Sequence, residues 1–337
     1  MTEDFRLQQL RDWLQQILKT DQYDLSVASA DASFRRYFRI RLNDASMIAM
    51  DAPPDKENCQ PFIHIATLLF SAGINAPEIL QQDLAQGFLL LSDLGDTQYL
   101  SVFDASSCDQ LYKDAIDALI QIQQVETGTL PAYDRALLQT EMNLFTEWFI
   151  EKHFAITLDQ QQQHSLNNVM ECLTESALQQ PQVFVHRDYH SRNLMLTSDN
   201  NPGIIDFQDA VTGAVTYDLA SLLKDCYISW PRTQIEDWLS YYFSKAKENN
   251  ILNSVCQFED FIQWFDLMSV QRHLKVLGIF SRLNIRDNKP GYLNDLPLTF
   301  QYIADSCERY PVLNPLKALL QDLKIAEKLG CDWKKLP

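Results

Sequence analysis

A chain of 337 residues that is 46% hydrophobic and 22% charged has the composition of a folded globular protein with about two domains' worth of core, which excludes global disorder and a collagen-like fibre. Its 45 acidic against 28 basic side chains give a formal net charge of −17, so nucleic acid and anionic lipid are repelled unless a local basic patch overrides the field. No stretch reaches the roughly 18 uncharged apolar residues of a membrane span, and residues 1–11 carry acids and glutamines where a secretory leader needs an apolar core.

The first element is a helix over 4–20, set by the spacing of Phe5, Leu7, Leu10, Trp13, Leu14, Ile17 and Leu18. Three strands follow, at 23–28, 34–42 and 46–51. The polar pair Asn43-Asp44 joins the second and third as a hairpin, and Pro53-Pro54 ends the third. A helix over 62–71 stops at Gly73, and the continuous apolar run 88–91 reads as a buried strand.

Beyond Ser92-Asp93-Leu94-Gly95 the pattern becomes helical, at 111–125, 137–154 and 160–178. Short apolar segments at 183–186, 194–197 and 203–207 interrupt it as β structure. The first two are expected to pair as a hairpin-like insert. Helices resume at 234–246, 258–282 and 298–309. The expected class is α+β, with a small β-rich lobe over 1–92 and a large, mainly helical lobe over 93–337. Seven cysteines, widely spaced and without a CxxC pair, fit reduced thiols in a cytoplasmic protein better than a disulfide framework or a zinc site.

The densest polar run is His186-Arg187-Asp188-Tyr189-His190-Ser191-Arg192-Asn193, between two apolar strands. A second acidic cluster, Asp206-Phe207-Gln208-Asp209, follows the apolar pair Ile204-Ile205. If Asp188, Asn193 and Asp206 meet, they offer the carboxylate and amide oxygens that a hard cation prefers. On the helix 258–282, Gln271 and Arg272 each share a face with Lys275, at spacings of four and three. Such a basic, amide-bearing face suits the hydroxyls, amide or carboxylate of a small polar acceptor.

His-Arg-Asp followed after four residues by Asn resembles the catalytic loop of kinases, and Asp206-Phe207 resembles the start of their metal motif, with Gln208 in place of its glycine. Together with Gly213 and Tyr217-Asp218-Leu219-Ala220, these motifs are more similar to the aminoglycoside phosphotransferase-like small-molecule kinases, a resemblance that extends over nearly the whole chain. The segments 32–39, 50–54 and 270–275 further resemble a bacterial group of anomeric kinases, which phosphorylate the C1 hydroxyl of N-acetylated amino sugars in cell-wall recycling. The resemblance implies a bilobal protein-kinase-like fold, ATP as donor, Mg²⁺ as cofactor and an amino sugar as acceptor. It implies no nucleic-acid, membrane or obligate protein partner.

By the same resemblance Asp188 takes or orients the proton of the acceptor hydroxyl, and Asn193 and Asp206 hold the metal. His186 is structural, His190 lies near the acceptor and the transferring phosphate, and Asp218 braces the loop through backbone N–H groups. Gln271, Arg272 and Lys275 face the acceptor. Nucleotide contacts are expected from Ser33, Phe34, Arg35 and Arg36 near the phosphates and from Ser92 and Leu94 in the connector.

The nucleotide side also departs from the kinase pattern. The segment 30–34 has no glycine, the third strand ends Ile48-Ala49-Met50-Asp51 without the phosphate-binding lysine, and the helix over 62–71 has no acid to pair with one. Arg35, Arg36 and Lys56 are the nearby cations that stand to replace it. Two other readings are a kinase of a hydroxylated amine such as choline or an aminoglycoside, and a catalytically silent kinase-like binding protein.

Overall fold

The structure, a computed structural model, describes residues 4–30, 34–104 and 107–333. Ser33, expected near the phosphates, lies outside them. The chain forms two compact units, residues 1–97 with 195–209, and residues 98–194 with 210–337. The expected division is a single cut after residue 92. The chain instead returns to the first unit, because the amide of Ile204 donates to the Asn75 carbonyl at 2.7 Å and that of Leu196 to the Thr97 carbonyl at 2.8 Å. A segment tied to residues more than 90 positions away leaves no local trace in sequence.

The first unit begins with α1 (Phe5–Leu18), capped by the Asp4 carboxylate, which accepts the Leu7 amide at 3.1 Å. Five strands follow: β1 (Asp24–Ala30), β2 (Arg36–Leu42), β3 (Ala45–Asp51), then after α2 (Gln60–Ser71), β4 (Ile79–Asp83) and β5 (Phe88–Ser92). They form one antiparallel sheet in the order β1-β2-β3-β5-β4. The β2–β3 turn needs a left-handed residue, and Asn43 supplies it at φ 53°.

In this register Arg36, Phe38 and Ile40 lie opposite Asp51, Ala49 and Met47 and share their face. Helix α1 covers that face, burying Leu10, Trp13 and Leu14 against Phe38, Ile40, Ala49, Phe88 and Leu90. Met50, Leu89 and Leu91 point the other way and are also buried.

The second unit is mainly helical. It contains α3 (Tyr99–Val102), α4 (Cys108–Gln123), α5 (Arg135–Leu144), a π-helical turn (Phe145–His153) and α6 (Gln160–Leu178). Then come β6 (Gln182–Val185), β7 (Leu194–Met195), where the chain passes to the first unit, β8 (Gly203–Ile204) and β9 (Val211–Ala214). It ends with α7 (Tyr217–Leu223), α8 (Arg232–Glu248), α9 (Phe258–Asp287), α10 (Leu296–Arg309), α11 (Asn314–Asp322) and α12 (Ile325–Leu329). Its core packs Met142, Phe145, Phe149, Leu166 and Leu173 around Val270, Leu274 and Leu277 of α9. Among the described residues no helix is long and apolar enough to cross a membrane.

Two expectations are corrected here. β6 pairs with β9, Val183 opposite Gly213, while β7 pairs with β8, so the first two segments of the insert do not form a hairpin. The eight residues between them fold as a separate braced loop. The helix expected over 137–154 leaves α-helical geometry after Leu144, where α9 crosses closely at Gly278; a Cβ on Gly278 would overlap the Leu144 backbone.

Candidate active site

Residues 186–193 leave the buried strand β6 and are held from below by α7. One carboxylate oxygen of Asp218 accepts the His186 amide at 2.6 Å and the other the Arg187 amide at 3.0 Å. This brace fixes Arg187 at φ 78°, a left-handed conformation that a side chain this large takes only when its surroundings impose it. The loop then closes on itself. The Asp188 amide donates to His186 Nδ1 at 3.2 Å, and the Asp188 carbonyl accepts the His190 amide at 3.1 Å and the Asn193 Nδ2 at 2.9 Å.

A second buried carboxylate, Asp225, completes the loop's support. It accepts the Ser191 amide at 3.0 Å, the Ser191 hydroxyl, and the Tyr227 amide at 3.1 Å. The sequence reading missed Asp225. Its signal was a pair of charges, Lys224-Asp225, set in the apolar run Leu222-Leu223-Lys224-Asp225-Cys226.

Burial pushes the Asp188 carboxyl up, but the charges of Lys275 and Arg272, with the nearby imidazoles of His190 and His186, outweigh it and hold the group below the ordinary carboxylate value. Lys275 on α9 is itself kept charged. Burial disfavours its ammonium, yet Tyr217 and Glu141 raise its pKa, with Glu141 Oε1 at 3.0 Å and the Tyr217 hydroxyl at 3.1 Å. Glu141 of α5 also binds Arg187 and the Tyr133 hydroxyl. Asp218 behaves oppositely. Burial raises it to about 7, against the lowering effect of the His186 and Arg187 amides. Burial also lowers His190.

Of the α9 residues, Arg272 is buried, with Cys226 Sγ at 3.6 Å. Gln271 is fully buried, and neither end of its amide has a hydrogen-bond partner among the described residues; His190 Nδ1 is likewise without one there. Such groups are costly unless something satisfies them, and a polar acceptor molecule has the chemistry to do so. The Arg192 guanidinium lies 3.5 Å over the Tyr227 ring.

The nucleotide-side residues belong to the first unit. Asp206 stands at φ 66° after β8, and its Oδ1 accepts Gln208 Nε2 at 2.8 Å. Arg36 turns to the α1 face, where its Nε donates to Asp51 at 3.0 Å and its Nη1 meets Asp4. Arg35 instead meets Glu57 at 3.2 Å, and Phe34 is exposed, its amide donating to Glu57 at 3.3 Å. The Ser92 hydroxyl accepts the Glu78 amide at 2.9 Å, and Leu94 packs beside Gly203. Among the described residues no three His, Cys, Asp or Glu side chains cluster as a metal site. The Asn193 amide oxygen and the Asp206 carboxylate are nevertheless donors of the kind that Mg²⁺ takes, since that ion binds few protein oxygens and keeps water and phosphate for the rest.

Residues 24–249 match the phosphotransferase enzyme family. The chain belongs to that family. Within it, the chain is 47% identical over 334 residues to the N-acetylmuramate/N-acetylglucosamine kinase of Pseudomonas aeruginosa, covering 96% of this chain and 98% of that one. It is 40% identical over 326 residues to the protein of the same name from Neisseria meningitidis serogroup B, covering 95% and 96%. Among solved structures, choline kinase LicA from Streptococcus pneumoniae shares the fold with a TM-score of 0.62 at 13% identity, covering 89% of this chain and 99% of that one. A Plasmodium vivax ethanolamine kinase does so with a TM-score of 0.63 at 12% identity, covering 90% and 88%. The α+β, protein-kinase-like fold expected from the sequence is thus the observed one, and the protein is a kinase.

Proposed function

We propose that this chain is an ATP-dependent sugar kinase that phosphorylates the anomeric C1 hydroxyl of N-acetylmuramate or N-acetylglucosamine, in peptidoglycan recycling. The observation that carries the reading is the near-full-length identity to two proteins named for these sugars. The braced loop around Asp188 supports it independently.

Asp188 is the acceptor-side carboxylate. Held ionised by the surrounding cations, it orients the sugar hydroxyl and receives its proton as the new O–P bond forms and the bond to the leaving ADP breaks. An anomeric hydroxyl is more acidic than an ordinary alcohol, so a carboxylate of low pKa suffices. Asp218 and Asp225 keep the loop in shape. His190, Gln271 and Arg272 line the acceptor side. The unpartnered amide of Gln271 matches an acetamido group, and an arginine fork matches a lactyl carboxylate. Lys275 maintains the local positive field through its pair with Glu141. Asn193 and Asp206 would hold Mg²⁺, which when bound neutralises phosphate charge. Phe34, Arg35, Ser92 and Leu94 serve the nucleotide.

The test is a coupled ADP-release assay with both sugars and with choline and an aminoglycoside as alternatives, followed by phosphorus NMR of the product. Sugar-dependent turnover with phosphate on C1 is the expected result. A folded protein that turns over only an amine substrate, or none, overturns the reading.

A further inference from the structure

The reaction proposed above requires a cation beside the nucleotide phosphates. Protein kinases place it as a lysine on the third strand, paired with a glutamate of the following helix. Here β3 ends in Met50-Asp51 and α2 contains no acid. Asp51 cannot take the lysine's part. It is fully buried on the α1 face, where Arg6 and Arg36 both engage its carboxylate. Met50, on the other face, is apolar and buried.

A cation–acid pair is nevertheless present in the same unit, displaced by a short step at each end. Arg35 immediately precedes β2, and Glu57 lies three residues before α2. The Arg35 Nη2 stands 3.2 Å from Glu57 Oε2, with side-chain exposures of only 12% and 16%. The other oxygen of Glu57 accepts the Phe34 amide at 3.3 Å. One carboxylate therefore fixes both the guanidinium and the backbone that carries it. Adjacent residues of an extended strand point to opposite sides, and the two arginines follow this, Arg36 to α1 and Arg35 to the segment that leads into α2.

We propose that Arg35 is the cation that meets the nucleotide phosphates in this chain, and that Glu57 is the positioning residue that orients it. The proposal rests on the kinase reading above. A guanidinium offers donors along more than one edge, so it can be held by a carboxylate and present a fork to phosphate, which a strand lysine does as a point charge. The pair has thus moved from the strand and helix to the segments that precede them.

The test uses the full chain, with nucleotide binding followed by a fluorescent ATP analogue and by KM for ATP, KM for the sugar, kcat and Tm measured on each variant. Arg35→Ala is expected to raise the nucleotide Kd and the KM for ATP roughly tenfold to a hundredfold, the range of a lost charge-assisted contact, with the KM for the sugar unchanged. Arg35→Lys recovers part of this. Glu57→Gln gives a smaller rise, about threefold to tenfold, and combined with Arg35→Ala adds nothing further, as expected of coupled residues. Arg6→Ala, which loosens the α1 face, lowers Tm and leaves the KM for ATP alone. The proposal is overturned if Arg35→Ala leaves nucleotide affinity within twofold of the parent while shifting Tm, or if the Arg35 and Glu57 effects simply add. If the unmodified protein binds nucleotide but turns over none of the sugars, the substrate reading fails, and the binding measurements still decide the role of Arg35.

Discussion

The loop 186–193 and the sheet of the first unit are both organised by buried or half-buried carboxylates, but the partners differ. In the loop, Asp218 and Asp225 bind backbone amides, which belong to particular positions of the chain. In and around the sheet, Asp51, Glu57 and Asp93 bind arginine side chains, with Arg39 Nε 2.6 Å from Asp93. An amide brace dictates where a residue must stand. A long guanidinium reaches its partner from several starting points, so the same charge is free to migrate along the chain. On the proposal above, this is how the loop motif stays intact in sequence while the strand lysine is absent.

The largest expected effect belongs to the loop. Asp188→Asn should lower kcat by roughly 10²–10⁴-fold, as for loss of a general base, with nucleotide binding retained. Near-normal turnover in this variant would break the contrast between a position-bound loop and a tolerant sheet. Next, Asp218→Ala takes the carboxylate acceptor from the buried His186 amide and the partly buried Arg187 amide and removes the brace on Arg187. It should cost about 1–3 kcal/mol per orphaned group and lower kcat together with Tm. If Tm falls and kcat does not, the brace supports the fold but not the chemistry.

A third test compares two buried carboxylates of the second unit by pH. Asp266 binds cations, with Lys224 Nζ at 2.9 Å, Arg232 Nη1 at 2.7 Å and the Tyr310 hydroxyl at 2.7 Å. Burial raises its pKa, but Lys224 and Arg232 bring it down to about 2. Its folded value is therefore depressed, so its stabilisation is complete above the unfolded value of 3.8 and is lost as the pH falls through about 2. The loss is about 2 kcal/mol and is absent from Asp266→Asn. Asp218 is raised, so its effect has the opposite sign: its ionisation destabilises the fold progressively between pH 3.8 and about 7. Urea unfolding across pH, with each Asp→Asn variant, should separate the two slopes. Equal slopes would show that amide and cation partners are equivalent here.

The smallest effect is expected at Gln271. Replacing its unpartnered amide by Leu removes two unsatisfied polar atoms, so Tm should hold or rise, while the KM for an N-acetylated sugar should rise severalfold, by about 1 kcal/mol of lost hydrogen bonding. An unchanged KM with a higher Tm would make Gln271 merely an ill-satisfied core residue.

Much of this was legible in the sequence where the information is local. The three-and-four spacing set Gln271 and Arg272 each on a face with Lys275, though not their burial, and Asn43 marked its turn. The order Asp188, Asn193, Asp206 marked the loop and the acidic turn by residue type alone. The unread parts all depend on partners distant in the chain. The pairing of β6 with β9 spans the whole loop, Asp225 reaches back to Ser191, and Glu141 reaches forward to Lys275. A charge set in an apolar stretch announces that a partner exists but does not name it.

One missing side chain carries a wider consequence. Because Gly278 sits against the Leu144 backbone, helices α5 and α9 meet there with only a hydrogen atom between them. Glu141 and Lys275 each stand three residues before that contact on their own helices, so the salt bridge that keeps Asp188 acidic inherits its span from this crossing. A methyl group at position 278 would act as a shim far from any ligand, wedging the helices apart and detuning the acidity of a carboxyl group it never touches.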